Sequence, residues 1–191
     1  MSRLLRTFIA IPVPRQVLVV RDMLVSTINP KSGKIRWVAK GNLHLTLRFL
    51  GPTPEESLDE INDFLAKQLS TCASFELQIA GTGCFPKPER SRVLWLGIEG
   101  QLDELKAVVQ RMNAGLERLG FPPEEREYHP HLTLARIKYP QKRTPEIKNF
   151  LHTTYEPISL HVDRLQFISS ELFPNGPVYT ILGTHFFHVS A

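Results

Sequence analysis

His44-Leu45-Thr46-Leu47 and His131-Leu132-Thr133-Leu134 are the same four-residue word, met twice in one chain. Each copy alternates polar and apolar side chains, the period of a half-buried strand. In the first copy Leu43, Leu45, Leu47 and Phe49 share one parity and are expected in the core. His44, Thr46 and Arg48 share the other. A His and a Thr two residues apart stand ~7 Å apart on one face of a strand. Two such strands lining one cleft would supply two imidazoles and two hydroxyls. That set is sufficient for acid–base chemistry on a small anion, because His alone has an unperturbed pKa near neutrality, ~6.5.

Working outward, the surroundings of both words are basic. Residues 23–54 contain Lys31, Lys34, Arg36, Lys40 and Arg48 and no acid. Residues 128–145 contain Arg136, Lys138, Lys142 and Arg143 and no acid. These windows hold nine of the 23 bases, leaving 14 bases against 19 acids elsewhere, so the net charge of +4 conceals a strong asymmetry. A field of that sign favours phosphate or another anion as ligand.

The remaining elements follow from periodicity and turn residues. Thr7–Val13 reads as a buried strand, and residues 14–28 have helical spacing at Val17, Leu18, Met23 and Leu24. Ile35–Val38, Asn42–Leu50 and Phe75–Ala80 read as strands, and Pro54–Leu69 as an amphipathic helix with Glu55, Glu56 and Asp59 at its positive end. In the second half, Arg92–Ile98 and His131–Ile137 read as strands, Leu102–Leu119 as a helix capped by Gly120, and Pro145–Leu151 as a short helix. Ile158–His161, Leu165–Ser169 and Val178–Phe187 read as closing strands. The order strand, helix, motif strand, helix, strand therefore occurs twice. The expected fold class is α+β: one domain over residues 1–191 with two pseudo-symmetric lobes from an internal duplication. Each lobe is an antiparallel sheet with helices outside, and the central cleft carries the two motifs. Gly81–Arg92, rich in Gly and Pro, is the expected crossover between the halves.

Composition excludes several classes. Apolar residues make up 42% and charged residues 22%, as in soluble globular proteins. A chain of 191 residues can bury ~70% of its unfolded surface without a staple. Cys72 and Cys84 form no CxxC pair and read as free thiols of a reducing, cytoplasmic compartment. No apolar run approaches the ~20 residues of a membrane span. Metal is not expected. There is no His-Glu-x-x-His, and the nearest candidate, His129-Pro130-His131, has no carboxylate beside it and lies in a basic window. His152, His161, His185 and His188 have no motif context. A Gly-x-Ser-x-Gly nucleophile elbow and a Gly-rich phosphate loop are also missing.

The stretches RTFIAIPVP (Arg6–Pro14), IRWVAKGNLHLTLRFLG (Ile35–Gly51), RVLWLGIEG (Arg92–Gly100), HPHLTLARI (His129–Ile137) and ELFPNGPVYTILG (Glu171–Gly183) together resemble the two-histidine (2H) phosphoesterases. Within them the chain resembles the bacterial and archaeal RNA 2′,3′-cyclic phosphodiesterases first named 2′-5′ RNA ligases. The resemblance implies that His44 gives a proton to the leaving oxygen and that His131 activates water as general base. It implies that Thr46 and Thr133 hold phosphate oxygens and that Arg136 lies near the phosphate. It also implies that Phe8 stacks on the terminal base. By strict alternation Arg136 falls on the Leu face, so a bulge or strand end is needed to bring it in. The reaction implied is hydrolysis of a terminal 2′,3′-cyclic phosphate to a 2′-phosphate with no cofactor or metal. The partners implied are RNA ends, tRNA halves among them, with the protein a monomer away from membranes. Three alternatives stay open: 2′-5′ ligation of tRNA halves, hydrolysis of a small cyclic nucleotide or ADP-ribose cyclic phosphate, and a non-catalytic RNA-end or nucleotide-binding module.

Overall fold

Two antiparallel sheets carry the chain, one built around each motif strand. The structure is a computed structural model that describes residues 3–29, 31, 33–124, 126–139, 145–174 and 176–188. In chain order the elements are β1 (Leu4–Pro12), α1 (Gln16–Ser26), β2 (Ile35–Trp37), β3 (His44–Pro54), α2 (Leu58–Leu69), β4 (Phe75–Phe85) and β5 (Val93–Gly100). They continue with α3 (Leu102–Arg118), β6 (His131–Ile137), α4 (Lys148–His152), β7 (Ile158–Val162), β8 (Arg164–Phe173) and β9 (Gly176–Phe186). The first sheet has the order β3-β1-β8-β9 and the second β2-β6-β5-β4-β7.

The sheets do not divide the chain into halves. β2 pairs with β6 from the far half, and β8 joins β1. The expected crossover at Gly81–Arg92 is corrected by the register. Cys84 pairs with Leu94 and Phe85 with Val93, so residues 81–85 extend β4 and the rest is the turn of a hairpin. Gly81, at φ +70°, takes up a bulge between Ala80 and Thr82, which lets the strand run on where Gly and Pro alone suggested a break. The chain instead passes between sheets through α1, through residues 38–43, through α2 and at Asp163.

The helices take their places from their apolar stripes. α2 buries Ile61, Leu65 and Leu69, and α3 buries Leu105, Val108, Val109, Met112 and Leu116. α2 packs on β9 and on α3, and α3 reaches β3. At the α2–α3 contact Gly115 is required: a Cβ there would lie 2.0 Å from the Phe64 ring. The expected helix at Pro54 begins as a 3-10 turn over Glu55–Ser57, with α2 starting at Leu58. Lys142 and Arg143 lie outside the described residues.

Both motif strands carry the same irregularity. In β3, Ile9 faces Arg48 and Ala10 faces Thr46, so Leu47 is the extra residue of a bulge. In β6, Leu94 faces Ala135 and Trp95 faces Thr133, so Leu134 is the extra residue. Each bulge falls immediately after the motif Thr and inverts the parity beyond it. Arg48, expected beside His44, is turned inward and is 3% exposed. Its Nη2 donates to the Pro122 carbonyl. Phe49, expected in the core, is turned out and is 53% exposed.

Candidate active site

His44 and His131 are the first residues of β3 and β6, and these two strands approach one another across the seam between the sheets. The Tyr128 hydroxyl donates to the Thr46 carbonyl at 3.2 Å and ties the segment leading into β6 to β3. Each imidazole is held in the same way. Nδ1 of His44 donates to the Asn42 carbonyl at 2.7 Å, and Nδ1 of His131 donates to the His129 carbonyl at 2.7 Å. A carbonyl can only accept, so each neutral ring is fixed as the Nδ1–H tautomer with a free Nε2 lone pair. Thr46 and Thr133 follow two residues on, before the bulge, on the same face as their His.

The bulge in β6 brings in Arg136, as alternation required. Its positive charge reaches both imidazoles and the Tyr179 hydroxyl. The corresponding position in β3, five residues after the motif His, is Phe49. Lys40 is engaged with Asp22 at 2.5 Å and Arg48 is buried, whereas Arg36 is the direct cross-strand partner of Arg136.

Aromatic rings flank each His. Phe8 stacks on His44, with centroids 4.7 Å apart, and Tyr179 meets His44 edge-on at 5.4 Å. Phe85 stands edge-on to His131 at 5.0 Å, and Trp95 lies 6.4 Å from it. Gly83 makes room for that indole, since a Cβ there would fall 2.2 Å from it. Phe8 is 3% exposed, enclosed by His44, Phe49 and Tyr179. Its ring forms a floor under His44. The exposed ring on that side is Phe49.

Burial pulls the His44 pKa down to about 4. The Asn42 carbonyl opposes the shift and the Arg136 charge adds to it. The same causes lower His131, where burial again leads and the His129 carbonyl opposes. With both pKa values lowered, the two rings are neutral at pH 7. Neutral rings with free Nε2 atoms accept protons; an anion bound between them would favour their charged forms.

Sequence reasoning did not single out Tyr179, Phe85, Trp95 or Asn42. Asn42 is the most informative omission. Its carbonyl holds His44, while its side-chain amide donates to the Pro177 carbonyl at 2.8 Å and anchors the β8–β9 hairpin beside the site. His129 contributes its carbonyl; its exposed ring lies 4.0 Å from Glu127, which corrects the expectation that no carboxylate stands beside it. His161 pairs with Glu76 at 2.5 Å and His185 bonds Asn62 at 2.9 Å, both away from the cleft. Among the described residues no three His, Cys, Asp or Glu side chains stand together as metal ligands.

Two facing HLTL strands in paired antiparallel sheets define a phosphoesterase of the two-histidine class. The sequence profile of the 2′-5′ RNA ligase superfamily matches residues 22–172, and the chain belongs to that superfamily. An RNA 2′,3′-cyclic phosphodiesterase of Thermotoga maritima is 35% identical over 179 residues, covering 93% of each chain. TT0787 of Thermus thermophilus superposes with a TM-score of 0.80 at 29% identity, covering 97% of this chain and 100% of that one. Escherichia coli LigT complexed with 3′-AMP gives a TM-score of 0.72 at 25% identity, covering 96% of this chain and 98% of that one.

Proposed function

We propose that this protein is an RNA 2′,3′-cyclic phosphodiesterase, a hydrolase that opens the cyclic phosphate at an RNA end to a 2′-phosphate by two-histidine acid–base catalysis. The observation that carries the reading is the matched pair of imidazoles, each clamped through Nδ1 by the carbonyl two residues before it. Binding alone would not need two titratable rings held in one tautomer. The Thermotoga relative supplies the substrate class, and the 3′-AMP complex of LigT shows that a fold of this kind accepts a nucleoside phosphate.

In the reaction, His131 Nε2 takes a proton from water as its oxygen attacks phosphorus. The bond from phosphorus to the 3′ oxygen breaks, and His44 Nε2–H gives its proton to that oxygen. The product is a 2′-phosphomonoester with a free 3′-hydroxyl, leaving His44 neutral and His131 protonated; solvent exchange resets them. The Thr46 and Thr133 hydroxyls donate to the non-bridging oxygens, and Arg136 offsets their charge. The roles of the two rings follow the motif order of the superfamily. Burial acts against a proton on His44, so the bound anion must supply the compensation, and the negative charge of the phosphodiester has the sign to do so.

We further propose a cytoplasmic monomer in which the two bulged motif strands are copies from an internal duplication within a single bilobal domain, with tRNA halves among the RNA ends it accepts. The free cysteines Cys72 and Cys84 fit a reducing compartment. Among the described residues no helix is long and apolar enough to cross a membrane.

The test is incubation of EDTA-treated protein with a short RNA ending in 2′,3′-cyclic phosphate, with the His44→Ala and His131→Ala variants alongside. A 2′-phosphate product, lost in both variants, is expected. A 3′-phosphate product, or turnover that survives in either variant, would overturn the mechanism. Bound but unchanged RNA would indicate an end-binding module.

A further inference from the structure

The surroundings of the two histidines hold more positive charge than one cyclic phosphate requires. Arg36 and Arg136 are direct cross-strand partners in the β2–β6 pair, so their side chains leave the sheet side by side. Arg36 reaches over the β8–β9 hairpin, where a Cβ on Gly176 would stand 3.3 Å from its Nη2. From the opposite sheet, Arg6 lies on the Phe8 face of β1, two residues before it. The charges of Arg6 and Arg136 both reach the Tyr179 hydroxyl.

Arg6 and Arg136 thus act on one tyrosine, Arg36 stands beside Arg136 and reaches the hairpin that carries that tyrosine, and Arg6 and Arg36 are exposed. Among the described residues none of the three has a carboxylate partner. Arg21, Lys40 and Arg164, by contrast, each pair with a nearby Asp. Like charges brought together unpaired repel one another, and an anion bound among them removes that cost. Arg136 already faces the catalytic histidines. Arg36 is its cross-strand partner, and Arg6 comes from the opposite sheet on the face of Phe8, whose ring meets Tyr179 at 5.0 Å.

We propose that Arg6, Arg36 and the Tyr179 hydroxyl form a second phosphate subsite, which takes the phosphate on the 5′ oxygen of the terminal nucleoside. The inference rests on the phosphodiesterase reading above and deepens it. The reacting cyclic phosphate occupies the His44–His131 site, and the subsite makes the protein prefer an RNA end over an isolated nucleoside cyclic phosphate. Guanidinium groups bind phosphate oxygens through paired, charge-assisted hydrogen bonds, so removing either one has a measurable effect. Such hydrogen bonds position the strand without reading its sequence. The subsite is accordingly indifferent to the base.

The experiment compares three substrates: a nucleoside 2′,3′-cyclic phosphate, the same compound with a 5′-monophosphate, and a dinucleotide ending in the cyclic phosphate. In the wild type a 5′ phosphate is expected to raise kcat/KM by about tenfold, the effect of one charge-assisted hydrogen bond. Arg6→Gln and Arg36→Gln are each expected to abolish most of that gain, as read from the ratio of kcat/KM values. Arg36→Lys retains part of it. The slope of log affinity against log salt for the dinucleotide should fall by roughly 0.7 for each guanidinium removed. A gain with the dinucleotide alone supports the subsite and identifies the polymer as its occupant. No gain in the wild type, or a gain that survives both Gln substitutions, overturns the proposal. Loss of all three activities together in a variant whose melting temperature is unchanged also overturns it, since it would place the residue in the reacting site. If the wild type turns over none of the three substrates, the phosphodiesterase reading itself fails.

Discussion

The β3 and β6 half-sites share a scaffold and differ in what surrounds it. Both begin with His, pass through Thr, and bulge at the next residue. Both clamp Nδ1 on the carbonyl two residues back. Beyond the bulge they diverge, with Phe49 in β3 and Arg136 in β6. His44 is packed between Phe8 and Tyr179, and its pKa falls to about 4; His131 is lowered as well, beside Phe85 and Trp95. The shared scaffold provides geometry, and the divergent surroundings allow two identical side chains to take opposite roles in one step.

The largest expected effects come from removing either ring. His44→Ala and His131→Ala should each lower turnover by ~10²-fold or more on an RNA cyclic phosphate. A substrate with a good leaving group, a p-nitrophenyl nucleoside phosphodiester, should separate them. Loss of the acid matters little when the leaving group needs no proton, so His44→Ala should recover most of its rate there and His131→Ala should not. The reverse pattern would exchange the two roles.

Acid should destabilise the His44 side. A buried neutral imidazole with a depressed pKa contributes stability above the unfolded value of ~6.5, which is lost as pH falls toward the folded value. With His44 at about 4, unfolding free energy should drop by roughly 3 kcal/mol at most between those limits. His44→Asn should flatten that part of the curve in chemical denaturation. Over the same range kcat/KM should be bell-shaped with its maximum below pH 6.5, because both free-enzyme rings are lowered. The profile of kcat should lie to its alkaline side, where bound phosphate favours the imidazolium forms. Coincident profiles would show that substrate does not shift the pair.

Smaller effects test the divergent positions. Arg136→Gln should raise KM by about tenfold and lower kcat less, because it removes one charge-assisted hydrogen bond to a group present throughout the reaction. Phe8→Leu should move the His44 titration upward in NMR and leave His131 in place, and Phe85→Leu should do the converse.

Much of this was legible in the sequence, and what was not has a common cause. Periods of two and of 3.6 gave β6 over His131–Ile137 and α3 from Leu102 because those patterns are local. The repeated word located both imidazoles. The bulges were not legible in β3, where Arg48 and Phe49 each lie on the face opposite to expectation, because a bulge is a property of two strands and of their register. The Arg136 placement could be anticipated only as a requirement. Tyr179 and Asn42 were missed for the same reason: each acts across a long separation in sequence, Tyr179 on His44 and Asn42 on Pro177. The packing of Phe8 on His44 was not legible, since a ring that could carry a base and one that carries an imidazole look alike in a strand.

The strand order also bears on how the chain is made. β1 lies between β3 and β8, with Thr7 facing Gly51 on one side and Ser169 on the other. A ribosome releases β1 first and reaches its second partner only when most of the chain has been synthesised. Until then the apolar edge of β1 has no permanent neighbour, and pairings of such sequence separation form slowly. Early emergence therefore gives the His44 sheet no head start, and the sheet begun first is among the last structures to be completed.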